Sequence, residues 1–281
     1  MNVWPAPAKL NLFLHVVGRR PDGYHLLQTV FQFLDFGDEL AFKVTDEGSV
    51  RRTRDVPGVP EDIDLTVRAA RLLKETSARA KGVEITLNKK LPAGGGLGGG
   101  SSDAATTLIA LNQLWDLRLS RDELASIGIK LGADVPVFVR GRAAWAEGVG
   151  EVLNSLHLPE PWYLVIAPPV HVSTAEVFAQ FARERQLTPY TSPRTIRDLR
   201  GGPTGNDLES LVRKRYPEVE RAFDWLAAHG QPRMTGSGGC VFLEVSDAEH
   251  GKRILAERPD GFIGFVARGM NRHPLSERDA G

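Results

Sequence analysis

"LPAGGGLGGGSSDAA", residues 91–105, places six glycines within the seven positions 94–100 and then turns into Ser-Ser-Asp-Ala-Ala. Glycine loses more backbone freedom on folding than any other residue. So dense a cluster implies that something needs the main chain bare and free to adopt positive φ. The usual beneficiary is a phosphate group, which main-chain N–H groups and a helix N-terminus bind together. A flexible linker is the alternative, but linkers are commonly richer in serine and less sharply bounded.

Outward from this loop, "GVEITLNKKLP" (82–92) reads as a strand leading in. A helix leads out, with Ser101 or Ser102 as N-cap and Ala104, Ala105, Leu108, Leu111 and Trp115 as its buried stripe. From Lys9 to Val17 the period is two, with Leu10, Leu12, Leu14 and Val16 on one face and Lys9, Asn11, Phe13 and His15 on the other. "RRPDGYH" (19–25) supplies a Pro-Asp-Gly turn, two strand-like runs follow, and 47–64 reads as an exposed loop. Helices are expected over 65–78 and from Ser120 to Gly132, and a strand over "ADVPVFVRG" (133–141). The pattern loosens around 154–162, which divides the chain into 1–157 and 158–281. The second part offers a strand (162–167), a loop (183–205), helices (207–215 and 217–229), a glycine turn in "RMTGSGGCVFLEV" (233–245) and a last strand in "GFIGFVARG" (261–269).

The whole chain has 281 residues, 42% hydrophobic and 25% charged, and its 35 basic residues balance 35 acidic ones. That composition excludes disorder and gives no basic excess for nucleic acid. Cys240 is the single cysteine, so an internal disulfide and a cysteine-rich metal site are both excluded. The first twenty residues lack a signal peptide's order, and the apolar run at 162–170 is too short for a bilayer. A cytoplasmic protein, monomeric or weakly dimeric and without membrane or nucleic-acid partners, is expected.

Three phosphate-binding designs compete for the loop. A Walker loop needs a lysine that the stretch between Lys90 and Ser102 does not contain. Gly94-x-Gly96-x-x-Gly99 fits the dinucleotide fingerprint formally, but no βαβ continuation with an acidic residue follows. The third design, Pro-x-Gly-x-Gly-x-x-x-Ser-Ser-x-Ala, resembles the ATP-binding motif of the GHMP small-molecule kinases. "PAPAKLNLFLHV" (5–16) is similar to that superfamily's first motif and "MTGSGGCVFLEV" (234–245) to its third, in the same order. The resemblance implies an α+β chain with a ribosomal-S5-like N-terminal domain, a ferredoxin-like C-terminal domain and an active site in the cleft between them. It also implies ATP held by Pro92, Ala93, Gly94, Gly95, Gly96, Leu97, Gly98, Gly99, Gly100, Ser101 and Ser102, covered by Gly236, Ser237 and Gly238.

Further stretches, "RRPDGYHLLQTVFQFLDFGDEL" (19–40), "LGADVPVFVRGRAAWAEGVGE" (131–151) and "NDLESLVRKRYPEVERAFDWL" (206–226), resemble those superfamily members that phosphorylate a cytidine-diphosphate-linked methylerythritol. By that resemblance the γ-phosphoryl of ATP passes to the 2-hydroxyl of the methylerythritol moiety, a step toward isoprenoid precursors. The catalytic pair falls on Lys9 and Asp134; Asn11, Tyr24, His25, Val149 and Phe178 fall on the substrate. Asp64-Leu65 stands where the family commonly has Asn-Leu beside adenine, and a carboxylate accepts hydrogen bonds without donating them. Mg²⁺ is expected on the phosphates, with no protein ligand assigned; Asp103 reads equally as a first-turn carboxylate of the helix. By residue type alone Lys9 is also a solvated strand lysine and Asp134 a polar loop residue. A sister kinase for mevalonate, homoserine or a sugar, and a non-catalytic nucleotide sensor, are the competing functions.

Overall fold

The computed structural model describes residues 2–185 and 205–276. Its spine is a long antiparallel pair, β1 (Trp4–Arg19) and β2 (His25–Thr45), joined by the Pro-Asp-Gly turn. The two runs read separately after the turn are one strand, since β2 pairs along its length with β1, β4 (Gly82–Asn88), β5 (Ala144–Glu147) and β10 (Ile263–Met270). β3 (Val50–Arg52) adds to β4 in parallel, and β6 (Val152–Ser155) pairs antiparallel with β5. β10 continues the sheet into the second half through β7 (Trp162–Ala167), β9 (Val241–Val245) and β8 (Arg233–Met234), giving the order β3-β4-β2-β10-β7-β9-β8.

Four helices pack on the first half: α1 (Leu65–Glu75), α2 (Gly99–Leu114), α3 (Arg121–Gly128) and α4 (Val135–Arg140). Four more, α5 (Thr174–Arg185), α6 (Glu209–Arg215), α7 (Pro217–Ala227) and α8 (Ala248–Ala256), belong to the second. The last described residues return to the first half. Leu275 is buried in its core, Asn271 O accepts from Ala143 N at 2.8 Å, and Leu275 O accepts from Arg121 Nη2 at 2.6 Å. The chain is thus an α+β fold whose two halves share one sheet. α5 carries helix through 183–185, where a loop was expected, and 186–204 of that loop lie outside the described residues.

Three expectations are corrected. α2 begins at Gly99 rather than after a serine cap, because Gly98 reverses the chain in the left-handed region (φ 72°). Its buried stripe proves to be a buried core helix, with every residue from Ser102 to Leu111 shielded, as expected of a helix enclosed on all sides. The strand read over 133–141 is instead α4. Pro136 suits its first turn, Gly141 caps it at φ 69°, and its β-branched side chains are buried among α2, α3 and the sheet.

β1 keeps period two only in part, because its register against β2 shifts between Pro7 and Lys9, between Asn11 and Leu14 and between Val16 and Gly18, and it is buried on both faces. Lys9, Asn11, Phe13 and His15 are as enclosed as Leu10, Leu14 and Val16. Leu14 and Val16 pack in the second half's core while Ala6 packs in the first, so β1 is the wall that both halves share.

Candidate active site

The glycine loop is ordered by what docks against it. Gly94, Gly96 and Gly98 all take positive φ, and a Cβ on Gly96 would sit 2.3 Å from the Thr235 carbonyl oxygen. Gly95 O accepts from Cys240 N at 3.0 Å, and Lys9 N donates to Leu97 O at 2.9 Å. Thr235 Oγ1 accepts from Asn11 N at 2.9 Å. The loop, β1 and the glycine turn 235–239 are therefore fastened to one another. α2 starts directly under the loop, so its positive end and its free N–H groups face the space the loop encloses.

That space is one cavity of about 1370 Å³, lined by Lys9, Asn11, Tyr24, His25, Asp64, Leu65, Pro92 through Ser101, Asp134, Val149, Phe178, Gly236 and Ser237. Of the residues singled out from the sequence, only Ser102 and Gly238 stand outside the lining. Ser102 is fully buried in α2, its hydroxyl without a partner. A Cβ on Gly238 would meet Val212 at 2.9 Å, so that glycine permits the turn to pack on α6.

At the cavity's waist Lys9 Nζ lies 3.2 Å from Asp134 Oδ2, with the lysine side chain 3% exposed and the aspartate's 32%. The strand delivers Lys9 from beneath; Asp134 immediately precedes the first turn of α4. The same ammonium hydrogen-bonds Asn11 Oδ1 and lies 5.2 Å from the centre of the Phe31 ring. Asn11 Nδ2 donates to Thr29 Oγ1 at 2.9 Å, which fixes the amide so that its oxygen faces the lysine. A shielded cation beside an accessible carboxylate can orient that carboxylate and offset negative charge at an oxygen brought to it.

The lining beyond this pair falls into two groups of residues, the two wings. In one, the His25 and Phe178 rings stack at 5.0 Å, and His25 Nε2 is buried without a hydrogen-bond partner. Burial, with the Arg19 cation as a lesser cause, lowers the His25 pKa, and the stacked pair makes one face of the wing aromatic. Tyr24 stands 64% exposed at the rim. Val149 lends its carbonyl and side chain only, since its N–H donates to Glu151 Oε2 at 2.6 Å. The other wing is walled by the loop 55–63, Asp64, Leu65, Leu87, Lys89 and Leu91. Asp64 caps α1 through Thr66 N at 2.7 Å and pairs with Arg52 Nη1 at 2.8 Å.

Residues 64–142 match the family model for the GHMP kinases N terminal domain, and residues 192–263 that for the GHMP kinases C terminal. A 4-diphosphocytidyl-2-C-methyl-D-erythritol kinase of Aromatoleum aromaticum is 54% identical over 96% of this chain and 94% of its own. One of Shewanella woodyi is 54% identical over 98% and 96%. The chain belongs to the 4-diphosphocytidyl-2-C-methyl-D-erythritol kinase family. A crystal structure of 4-(cytidine 5'-diphospho)-2C-methyl-D-erythritol kinase superposes with a TM-score of 0.81 at 34% identity, covering 95% of this chain and 99% of that one. A mevalonate kinase structure, at 18% identity and a TM-score of 0.68, shares the fold.

Within this family member, several site residues carry no signal in the sequence. Lys89 Nζ bridges Asp38 Oδ2 at 2.5 Å and Asp103 Oδ2 at 2.9 Å beside the glycine loop. Asp103 therefore belongs to the second turn of α2, not the first. Burial pushes its carboxyl up to about 7 against the pull of the Lys89 cation. Thr174 and Ser237 meet through their hydroxyls at 2.6 Å, tying α5 to the glycine turn. Among the described residues no group of three or more His, Cys, Asp or Glu is placed to hold a metal ion, and no helix is long and apolar enough to cross a membrane.

Proposed function

We propose that the chain transfers the γ-phosphoryl of ATP to the 2-hydroxyl of 4-diphosphocytidyl-2-C-methyl-D-erythritol, in the methylerythritol phosphate route to isoprenoid precursors. The observation that carries this reading is the Lys9–Asp134 pair at the waist of one cavity, between a glycine loop and a stacked aromatic wing. The reaction joins two nucleotide-bearing molecules, and the cavity has two wings. The loop and the start of α2 receive the triphosphate of ATP, whose base lies against Asp64 and Leu65. The cytidine lies against His25, Phe178 and Tyr24, whose rings offer it a surface to stack on. The methylerythritol between them brings its 2-hydroxyl to Asp134.

Asp134 takes the hydroxyl proton as the new O–Pγ bond forms and the bond from Pγ to the β-phosphate bridging oxygen breaks, releasing ADP. Lys9 holds the carboxylate in place and offsets charge near the reacting oxygens. Asn11, anchored by Thr29, keeps the ammonium aimed at the waist. The residues present suit Mg²⁺, which commonly takes most of its ligands from phosphate and water. Ser101 in the cavity wall would hold it and its phosphates, whereas Asp103 is engaged by Lys89 through Oδ2. When bound it neutralises charge on the β- and γ-phosphates. As part of the same reading, 1–157 and 158–281 are the two domains of a cytoplasmic enzyme that is a monomer or weak homodimer, with 271–276 packing back on the first.

The test is ADP release from MgATP with the cytidylyl alcohol, run beside mevalonate and homoserine. Turnover with the cytidylyl substrate alone is expected. Turnover with either other alcohol instead would overturn the assignment of the aromatic wing.

A further inference from the structure

Arg52 carries a buried charge that the reaction above does not use. Its side chain is 3% exposed, and its Nη2 donates to the Val59 carbonyl at 2.9 Å while Nη1 donates to Asp64 Oδ2 at 2.8 Å. Its backbone N–H donates to Glu61 Oε2 at 3.1 Å. One residue at the end of β3 thus fastens three points of the segment that walls the second wing of the cavity. Stability is a poor reason for such an arrangement. Arg52 Nε is buried without a partner, and replacing a buried ion pair with apolar side chains is often neutral or stabilising.

The acceptor count at Asp64 gives a better reason. A carboxylate offers about four lone-pair sites and no donor. Thr66 fills two on Oδ1, through its N at 2.7 Å and its Oγ1 at 2.5 Å. Arg52 takes one on Oδ2, which leaves one acceptor on a residue that lines the cavity. The guanidinium fixes where that acceptor points, and opposite a fixed cation the carboxylate does not turn a donor toward the wing.

We propose that Arg52 is a positioning residue that sets the choice of nucleoside triphosphate. By pinning Asp64 and the 55–63 wall, it presents a single fixed acceptor that favours a base edge bearing an amino group, as in adenine, over one bearing a ring carbonyl, as in guanine. The inference rests on the reading that the base of ATP occupies this wing.

The test measures binding of MgATP and of MgGTP by calorimetry, and steady-state kinetics with the cytidylyl alcohol. It compares the wild type with Arg52→Met, Asp64→Asn and the double variant. Wild type binds ATP more tightly than GTP. Arg52→Met weakens ATP by about tenfold or more, the scale of one buried charge-assisted hydrogen bond, and leaves the KM of the alcohol unchanged. The double variant removes the orphaned charge and regains most of the ATP affinity. It does not regain the selectivity, because an amide can present either its oxygen or its NH₂, so the ATP-to-GTP ratio narrows by about tenfold. A merely structural role would lower the melting temperature without moving that ratio. Should Arg52→Met fail to fold, the double variant and Arg52→Lys, which keeps the charge without the fork, carry the same comparison. A ratio unchanged within about twofold in the folded variants, or no preference in the wild type, overturns the proposal. Failure of the wild type to bind either nucleotide overturns the nucleotide reading itself.

Discussion

Replacing Lys9 with methionine keeps the unbranched apolar stem but for its last atom, and removes the charge and the hydrogen bond to Asn11 Oδ1. At 3.2 Å from Asp134 Oδ2, a unit charge is worth roughly 5 kcal/mol at an effective dielectric of about 20 and roughly 1.3 kcal/mol in bulk water. Lys9 is shielded, but Asp134 keeps about a third of its surface in solvent, so screening brings the value between those limits, about 2–4 kcal/mol. If that stabilisation is felt where the alcohol loses its proton, kcat falls roughly 30- to 900-fold, since each 1.36 kcal/mol is a factor of ten. The expected effect on stability is the opposite of what a buried contact suggests. Methionine carries no charge to desolvate, and Asp134 can take up water in place of its partner, so the melting temperature holds or rises. The assay is ADP release at saturating alcohol across an ATP titration, with a thermal melt of the same preparation. A kcat within about fivefold of wild type would refute the electrostatic argument. So would a loss of activity matched by a loss of fold, since the lysine would then be structural.

Gly96→Ala puts a Cβ 2.3 Å from the Thr235 carbonyl oxygen at a φ of 76°, costing about 1–2 kcal/mol in backbone strain before the clash is counted. The KM for ATP should rise by about tenfold or more, and unchanged nucleotide binding would mean the loop is not fastened as described. Phe178→Leu removes the stack on His25 and should raise the KM of the cytidylyl alcohol by about 5- to 150-fold, from about 1–3 kcal/mol per stacked base, with the KM for ATP unchanged. His273 is buried against Phe33 and Phe138, and burial, more than the Arg121 cation, lowers its pKa from 6.5 to about 3. The unfolded chain therefore takes up this proton first. The stability it contributes is complete above pH 6.5 and is lost as pH falls toward 3, at up to about 1.4 kcal/mol per pH unit. Urea midpoints measured from pH 7 to 4 should fall less steeply for His273→Gln, and parallel curves for the two proteins would count against this account.

What the sequence discloses depends on whether a residue's environment is local. The loop at 94–100 and the Pro-Asp-Gly turn are legible because glycine and proline act through their own backbones. α4 is not, because "VPVFV" has a strand's composition, and only enclosure by α2, α3 and the sheet makes a short helix of it. The two-sided burial of β1 is hidden for the same reason, since its second cover comes from residues more than a hundred positions away. Arg52 is the sharpest case. In "SVRRTRD" it looks like Arg51, which reaches Glu84 at the surface. Only the parallel pairing of a three-residue strand turns one arginine outward and the other beneath the cavity wall. Lys89 and Lys90 differ in the same way, one bridging two buried aspartates and the other pairing with Glu39 in solvent.

The glycine loop's entropy cost finds its counterpart in the second half of the chain. Ordering seven consecutive residues, six of them glycine, opposes folding by about 1–2 kcal/mol for each backbone fixed, more than a helix start alone repays. Here the loop is held by β1 through Leu97 O and by the glycine turn through Gly95 O, with Thr235 spanning the gap to Asn11. β1 is also the strand that carries Lys9. The contacts that order the glycine loop are therefore the contacts that set its distance from the waist of the cavity. Phosphoryl transfer rests mainly on positioning and charge, so a loop docked in this way does more for the reaction than a stiffer one held by its own side chains.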